Sequence, residues 1–326
     1  MLLDAKDPAA IERAAIALSA GELVAFPTET VYGRGARADD DSAGAENFAR
    51  EGRPSEHPLI VHVPDADAAR EFAAHWPPVA ARLADALWPG PLTVIVPRLP
   101  RMAAAAAGGQ DTIGLRAPSH PVARALLDAA RAHGVPGVAA PSANRFGRIS
   151  PTRAEHVQGE FGDAMTVLDG GPCEVGIESA IVDCSRGRPV LLRPGVLTRA
   201  QLEAAAGEPL HAPDDSAPRA SGTLAAHYAP RAKLRLMPMA MLDTALEMLG
   251  ESPLKLAVYS MRPPRGMAAS VHHRVMPVAP QQVAQELFSV LRAFDDEGVQ
   301  LIWVEEPPAT PEWEGVADRL RRAAAA

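Results

Sequence analysis

Apolar residues recur along this chain in two rhythms. Ile11, Ala14, Ala15 and Leu18 share one face of a helix that Asp7-Pro8 opens and Gly21 closes. Short apolar runs of strand length follow at Leu23–Phe26, Leu59–Val63, Leu92–Val96, Thr112–Arg116, Val135–Ala139, Thr166–Leu168, Ala180–Val182 and Val190–Leu192. Helical spacing lies between several of them, at Ser42–Arg50, Asp67–His75, Val79–Leu87, Pro121–His133 and Arg153–Gln158. The pattern predicts an α/β domain with a mixed sheet and flanking helices over residues 1–206. Residues 207–232 carry Pro209, Pro213, Pro218 and Pro230 with little periodicity, which is the composition of an extended linker. Helices at Met241–Leu249 and Gln281–Phe294, with buried strands at Lys255–Tyr259 and Gln300–Val304, then predict a smaller α/β domain over 233–326. No internal repeat is evident, and the second domain carries no catalytic motif.

Composition narrows the chemistry. The 326 residues suffice for two domains with cores of their own, and 47% apolar with 22% charged residues is ordinary for a globular chain. No apolar run reaches membrane-spanning length, and Asp4, Asp7 and Glu12 make the first twenty residues unlike a signal peptide, so a cytoplasmic protein without a membrane partner is expected. Cys173 and Cys184 have no metal-ligand spacing, which argues against zinc and against a disulfide framework. A net charge of −8 argues against a broad basic face for nucleic acid, so any anion site must be local. Lysine occurs only at Lys6, Lys233 and Lys255, leaving phosphate and carboxylate recognition to arginine.

Three stretches concentrate polar groups at strand ends, where α/β proteins bind ligands: Pro27-Thr28-Glu29-Thr30-Val31-Tyr32-Gly33, Arg50-Glu51-Gly52-Arg53-Pro54 and Ala140-Pro141-Ser142-Ala143-Asn144. They suggest a nucleotide site without a P-loop. Each has a plainer alternative: Thr28 and Thr30 could satisfy a turn, Ser142 and Asn144 could cap a helix, and His62 could be a buried imidazole. His57, His120 and His133 have no partner pattern and are read as structural. Arg116 and Arg193 end apolar strands, a position that a surface arginine does not need.

Together with Pro58-Leu59-Ile60-Val61-His62, Trp88-Pro89-Gly90-Pro91-Leu92-Thr93, Asp169-Gly170-Gly171, Leu192-Arg193-Pro194-Gly195 and His227-Tyr228-Ala229-Pro230, these stretches resemble the YrdC-like threonylcarbamoyl-AMP synthase family in its longer form. The resemblance covers about residues 8–231. It implies a YrdC-like twisted mixed sheet, a Rossmann-like C-terminal domain, and a nucleotidyltransferase reaction of L-threonine, bicarbonate and ATP with Mg2+ on the phosphates. It further implies Thr28, His62, Arg116, Ala140 and Ser179 around threonine, and Arg53, Ser55, Thr112, Ser142, Asn144, Ser150, Arg193 and Tyr228 around ATP, with no protein nucleophile and no protein metal cage. The implied partners are a downstream threonylcarbamoyl transferase complex acting on tRNA and a weak contact with tRNA itself. Residues 207–232 would then be a lid as well as a linker.

The chain departs from the family's pattern where Glu51 stands for a lysine expected at the triphosphate. Two unit charges about 4 Å apart interact by about 4 kcal/mol at an effective dielectric of about 20, so either Glu51 turns away and Arg50 supplies the charge, or ATP binding is weak and the implied activity does not follow. Arg34 and Ala180 are milder departures, at positions usually apolar and threonine respectively. A non-catalytic RNA-binding or regulatory module on the same fold, and a related carbamoyl-adenylate enzyme, are the alternative functions.

Overall fold

The structure, a computed structural model, describes residues 1–326 except Arg53, Glu251 and Ser252, and except the side chains of Phe48, Arg50 and Glu51. The chain forms two compact units, Met1–Phe146 with Ser150–Thr223, and Gly147–Ile149 with Leu224–Ala326.

The first unit runs β1 (Leu2–Asp4), α1 (Pro8–Ser19), β2 (Val24–Phe26), β3 (Gly33–Arg37), α2 (Asp41–Glu51), β4 (Ile60–His62), α3 (Ala66–Arg70), α4 (Pro78–Leu87), β5 (Leu92–Pro97), β6 (Thr112–Arg116), α5 (Pro121–Ala132), β7 (Val138–Ala140), α6 (Ala154–Phe161), β8 (Thr166–Asp169), β9 (Ala180–Asp183), β10 (Val190–Arg193) and α7 (Arg199–Ala206). Its strands form one mixed sheet in the order β1-β8-β2-β3-β7-β4-β6-β5-β9-β10. Small side chains let the helices approach. Ala10, Ala14, Ala15 and Leu18 of α1 pack with Ala123, Leu126, Leu127 and Ala130 of α5 over Phe26, Val138 and Leu168. A second core joins Leu83 of α4 and Leu202 of α7 to Leu92, Val94, Leu115 and Val182.

Most predicted strands and helices are present within a few residues, and the exceptions have physical causes. β3 reads Gly-Arg-Gly-Ala-Arg and lacks strand alternation. It forms because Gly35 slots between neighbours: a Cβ there would lie 2.5 Å from Val138 Cγ1 and 2.9 Å from Phe26. β1 is too short to show a period, yet it pairs in parallel with β8. The helix expected at Asp67–His75 stops at Arg70, because Phe72 turns into the core and its carbonyl accepts from Leu99 N at 2.8 Å.

Between α7 and the next strand, residues 207–223 belong to the first unit and 224–232 to the second. Ala217 and Ala220 pack on Ile60, Ile95, Ile181 and Leu192. Gln110 holds the backbone of Arg219 from both sides, at 2.7 and 3.1 Å.

The second unit contains β11 (Lys233–Met237), α8 (Met239–Leu249), β12 (Leu256–Ser260), β13 (His272–Val275), α9 (Pro280–Asp296), β14 (Leu301–Glu305) and α10 (Glu314–Ala324). Its four strands are all parallel, in the order β11-β14-β12-β13, as a Rossmann-like unit requires. The α10 helix escapes the periodicity reading because Arg319, fully buried, interrupts the stripe of Val316, Leu320 and Ala323. The Asp295 carboxylate fixes the entry to β11 by accepting from Arg231 N at 2.7 Å and Ala232 N at 3.0 Å. No helix among the described residues is long and apolar enough to cross a membrane.

Candidate functional site

Parallel strands β4 and β6 end side by side on His62 and Arg116, which are register partners. Both side chains are almost wholly buried. Thr28, Glu29 and Thr30, in the turn after β2, meet them. Arg116 Nη1 donates to Thr30 Oγ1 at 2.8 Å, and its Nη2 lies 2.6 Å from Glu29 Oε1. That ion pair is close but misaligned, so Arg116 Nε and Nη2 and Glu29 Oε1 make no hydrogen bond. The other Glu29 oxygen accepts from Ser119 N at 3.2 Å.

Within the turn, Thr28 Oγ1 donates to the Val31 carbonyl at 2.7 Å and accepts from Thr30 N and Val31 N, both at 3.2 Å. Its hydroxyl therefore shapes the turn, as the plainer reading of this residue has it. His62 stands edge-on to Phe26, and its Nδ1 has no hydrogen-bond partner. Burial, reinforced by the Arg116 charge, pushes its pKa down from 6.5 to about 3, so the imidazole is neutral.

A second polar group centres on Ser179. Its hydroxyl lies 2.8 Å from Thr93 Oγ1 and 3.2 Å from Arg193 Nη2, while Arg193 Nε donates to the Ser179 carbonyl at 3.0 Å. Arg193 Nη1 reaches on to the Ser221 carbonyl at 2.8 Å, so the predicted site arginine also holds the segment that follows α7. Gly195 is needed here because a Cβ would sit 2.6 Å from Ala180 N. Beside Ser179, the Glu178 carboxylate accepts a hydrogen bond from Ser150.

The remaining candidates are distributed as follows. Ala140 ends β7 opposite Ile60, and Ser142 bridges to Gly33. Asn144 donates to the Arg145 carbonyl at 2.8 Å, turning the chain rather than capping a helix. Thr112 opens β6 and lines a small cavity with Thr93, Gly114, Ile181, Arg219 and Ser221. Ser55 lines a separate open hollow of about 440 Å3 with Ala45, Glu56, Ala104, Ala105, Gly108 and Gly109, none of them singled out from sequence. Tyr228 belongs to the second unit, where it stacks 5.6 Å from Phe288 beneath the Arg319 guanidinium. Arg53 and the side chains of Arg50 and Glu51 lie outside the described residues.

Glu29, Thr30, Thr93 and Glu178 complete these groups although none was assigned a role from sequence. For Glu29 the signal was available: a carboxylate between two threonines, in the turn that follows an apolar run. The histidines read as structural have local partners. His120 Nδ1 accepts from Val122 N at 3.2 Å to cap α5, and His133 lies 2.7 Å from Glu12. Both cysteines are buried free thiols whose pKa burial pushes up.

Comparison with known proteins decides the family. Residues 16–195 match the Sua5, YciO and YrdC family model, described as telomere recombination, and residues 197–325 match the model for the threonylcarbamoyl-AMP synthase C-terminal domain. This chain belongs to that family, in its long Sua5 form. The threonylcarbamoyl-AMP synthase of Bacillus subtilis is 36% identical, covering 99% of this chain and 94% of its own length. That of Pyrococcus abyssi is 34% identical over 93% and 90% of the two chains. A crystal structure of P. abyssi Sua5 complexed with L-threonine superposes with a TM-score of 0.88 at 33% identity, covering 99% of this chain and 97% of the other.

The buried neutral His62 has a consequence for stability. Between about pH 6.5 and 3 the unfolded chain binds a proton at this imidazole that the folded chain does not, so stability falls as pH falls through that window. Replacing His62 by glutamine should remove this slope, about 1.4 kcal/mol per pH unit. Urea-unfolding midpoints of wild type and His62→Gln at neutral and mildly acidic pH should converge as pH drops. Parallel pH dependence in the two proteins would contradict the assignment.

Proposed function

We propose that this chain condenses L-threonine, bicarbonate and ATP into L-threonylcarbamoyladenylate and pyrophosphate. The observation that carries the reading is Arg116: a buried guanidinium anchored by Thr30 through one nitrogen, whose Nε and Nη2 donate no hydrogen bond although Nη2 is ion-paired with Glu29. Two parallel donors on one edge suit a carboxylate, and the threonine complex of the P. abyssi relative supports threonine as its owner. The amine of threonine then attacks the bicarbonate carbon with loss of water, and the resulting carbamate oxygen attacks the α-phosphorus as pyrophosphate leaves. The substrates supply both nucleophiles, so positioning and charge neutralisation are what the protein must contribute.

In this reading His62, Ala140 and Ser179 complete the threonine pocket, and Thr28 shapes it through the turn. Ser55, Thr112, Ser142, Asn144, Ser150, Arg193 and Tyr228, with Arg50 and Arg53, receive ATP. Mg2+ would travel on the phosphate oxygens, largely hydrated, and neutralise their charge. Among the described residues no group of three or more His, Cys, Asp or Glu could hold it. The product passes to a threonylcarbamoyl transferase complex that modifies tRNA in the cytoplasm, with a weak contact to tRNA itself. Residues 207–232 serve as the lid between the catalytic residues 1–206 and the domain at 233–326. The packing of Ala220 and the bond from Arg193 to Ser221 support that role.

Three measurements test this reading. Arg116→Lys should raise KM for threonine by about tenfold or more and leave KM for ATP nearly unchanged, since a point charge keeps only one of two parallel hydrogen bonds. Equal effects on both substrates would count against it. Glu51→Lys should tighten ATP binding and raise turnover, with a gain that shrinks as salt rises. If that change is silent while Arg50→Ala abolishes turnover, the neighbouring arginine has replaced the missing lysine. Ala220→Asp, by introducing a charge among Ile95, Ile181 and Leu192, should unseat the lid and lower the adenylate formed per pyrophosphate. An unchanged ratio would leave the segment a tether.

A further inference from the structure

The geometry points to Glu29 as the residue that receives the α-ammonium group of the amino-acid substrate, making Glu29 and Arg116 a single device for recognising a zwitterion. This rests on the threonine reading of Arg116 and extends it to a second functional group of the substrate. Buried polar atoms without partners are rare in folded proteins, and each calls for an explanation. Four of them occur on three side chains here: Arg116 Nε, Arg116 Nη2, Glu29 Oε1 and His62 Nδ1.

The anchoring of the two charged groups is complementary. Thr30 holds one nitrogen of Arg116 and leaves its bidentate edge without a hydrogen bond, while the Ser119 amide holds one oxygen of Glu29 and leaves the other without one. These two atoms, Nη2 and Oε1, touch as an ion pair at 2.6 Å yet make no hydrogen bond. They therefore present a positive and a negative group side by side. The carboxylate and ammonium of an α-amino acid sit on one carbon with the opposite signs side by side, so the two pairs can meet charge against charge. A carboxylate used solely as counter-ion to Arg116 would have reason to face the guanidinium squarely. The observed misalignment leaves Oε1 a lone pair for an N–H donor.

Specificity follows from burial. With Glu29 only 3% exposed, a ligand carrying a hydroxyl in place of the ammonium leaves the carboxylate facing a neutral group where a charge-assisted bond belongs. The site should therefore select amino acids over hydroxy acids of the same shape.

Binding of three ligands to the full-length protein, measured by calorimetry without ATP, tests this. They are L-threonine, its methyl ester, and the α-hydroxy acid in which a hydroxyl replaces the amine. In the wild type the hydroxy acid should bind about 10- to 100-fold more weakly than threonine. The ester, which keeps the ammonium and loses the carboxylate, should also bind more weakly. In Glu29→Gln, threonine affinity should drop and the gap between threonine and the hydroxy acid should close. Equal binding of threonine and the hydroxy acid to the wild type overturns the inference without any variant, so it stays testable should Glu29→Gln fold poorly. A gap that persists in folded Glu29→Gln overturns it as well. Failure of threonine to bind the wild type at all would overturn the threonine reading itself and this inference with it.

Discussion

The ion pair of Glu29 and Arg116 is the constraint around which the first unit is organised. It joins a turn after β2 to the end of β6, two elements more than eighty residues apart in sequence, with both side chains almost wholly buried. Removing one member of a buried pair leaves an uncompensated charge and typically costs about 3–5 kcal/mol. The pair can persist because other groups share its desolvation. Thr30 and the backbone of Ser119 each bond one end, and the turn that presents Glu29 is knotted by the hydroxyl of Thr28. His62 adapts in turn by staying neutral beside the guanidinium.

A second arginine does comparable work in another way. Arg193 binds the backbone and side chain of Ser179 and the backbone of Ser221. Through these bonds one guanidinium ties the end of β10 to the strand β9 beside it and to the segment that follows α7. The two guanidiniums illustrate how one side-chain type can be held by a carboxylate and a hydroxyl in one place and by backbone carbonyls in another.

Much of this arrangement was readable from the chain alone, because it depends on local chemistry. Arg116 and Arg193 close apolar strands, Asp7 opens α1 as a cap, and the proline-rich stretch before β11 carries no helix or strand. What escaped depends on distant neighbours. β3 is a strand because Val138 and Phe26 leave room only for a glycine, and α10 is amphipathic only once Arg319 is seen to lie over the Tyr228 ring. Thr93 acquires meaning solely through Ser179, eighty-six residues away. Likewise, Glu29 could be quoted within its turn, but its partner could not be read from spacing.

The buried thiol of Cys173 gives these relations a timescale. Burial is the main reason its pKa is raised, and the nearby Glu29 carboxylate pushes in the same direction. A thiol held protonated and enclosed is inert to alkylating agents and oxidants. Any labelling it undergoes must pass through an opening of the cluster in which it packs with Ala25, Tyr32 and Val167. The rate of that reaction is therefore a clock for local breathing of that cluster, built into the protein and readable by mass without a spectroscopic probe.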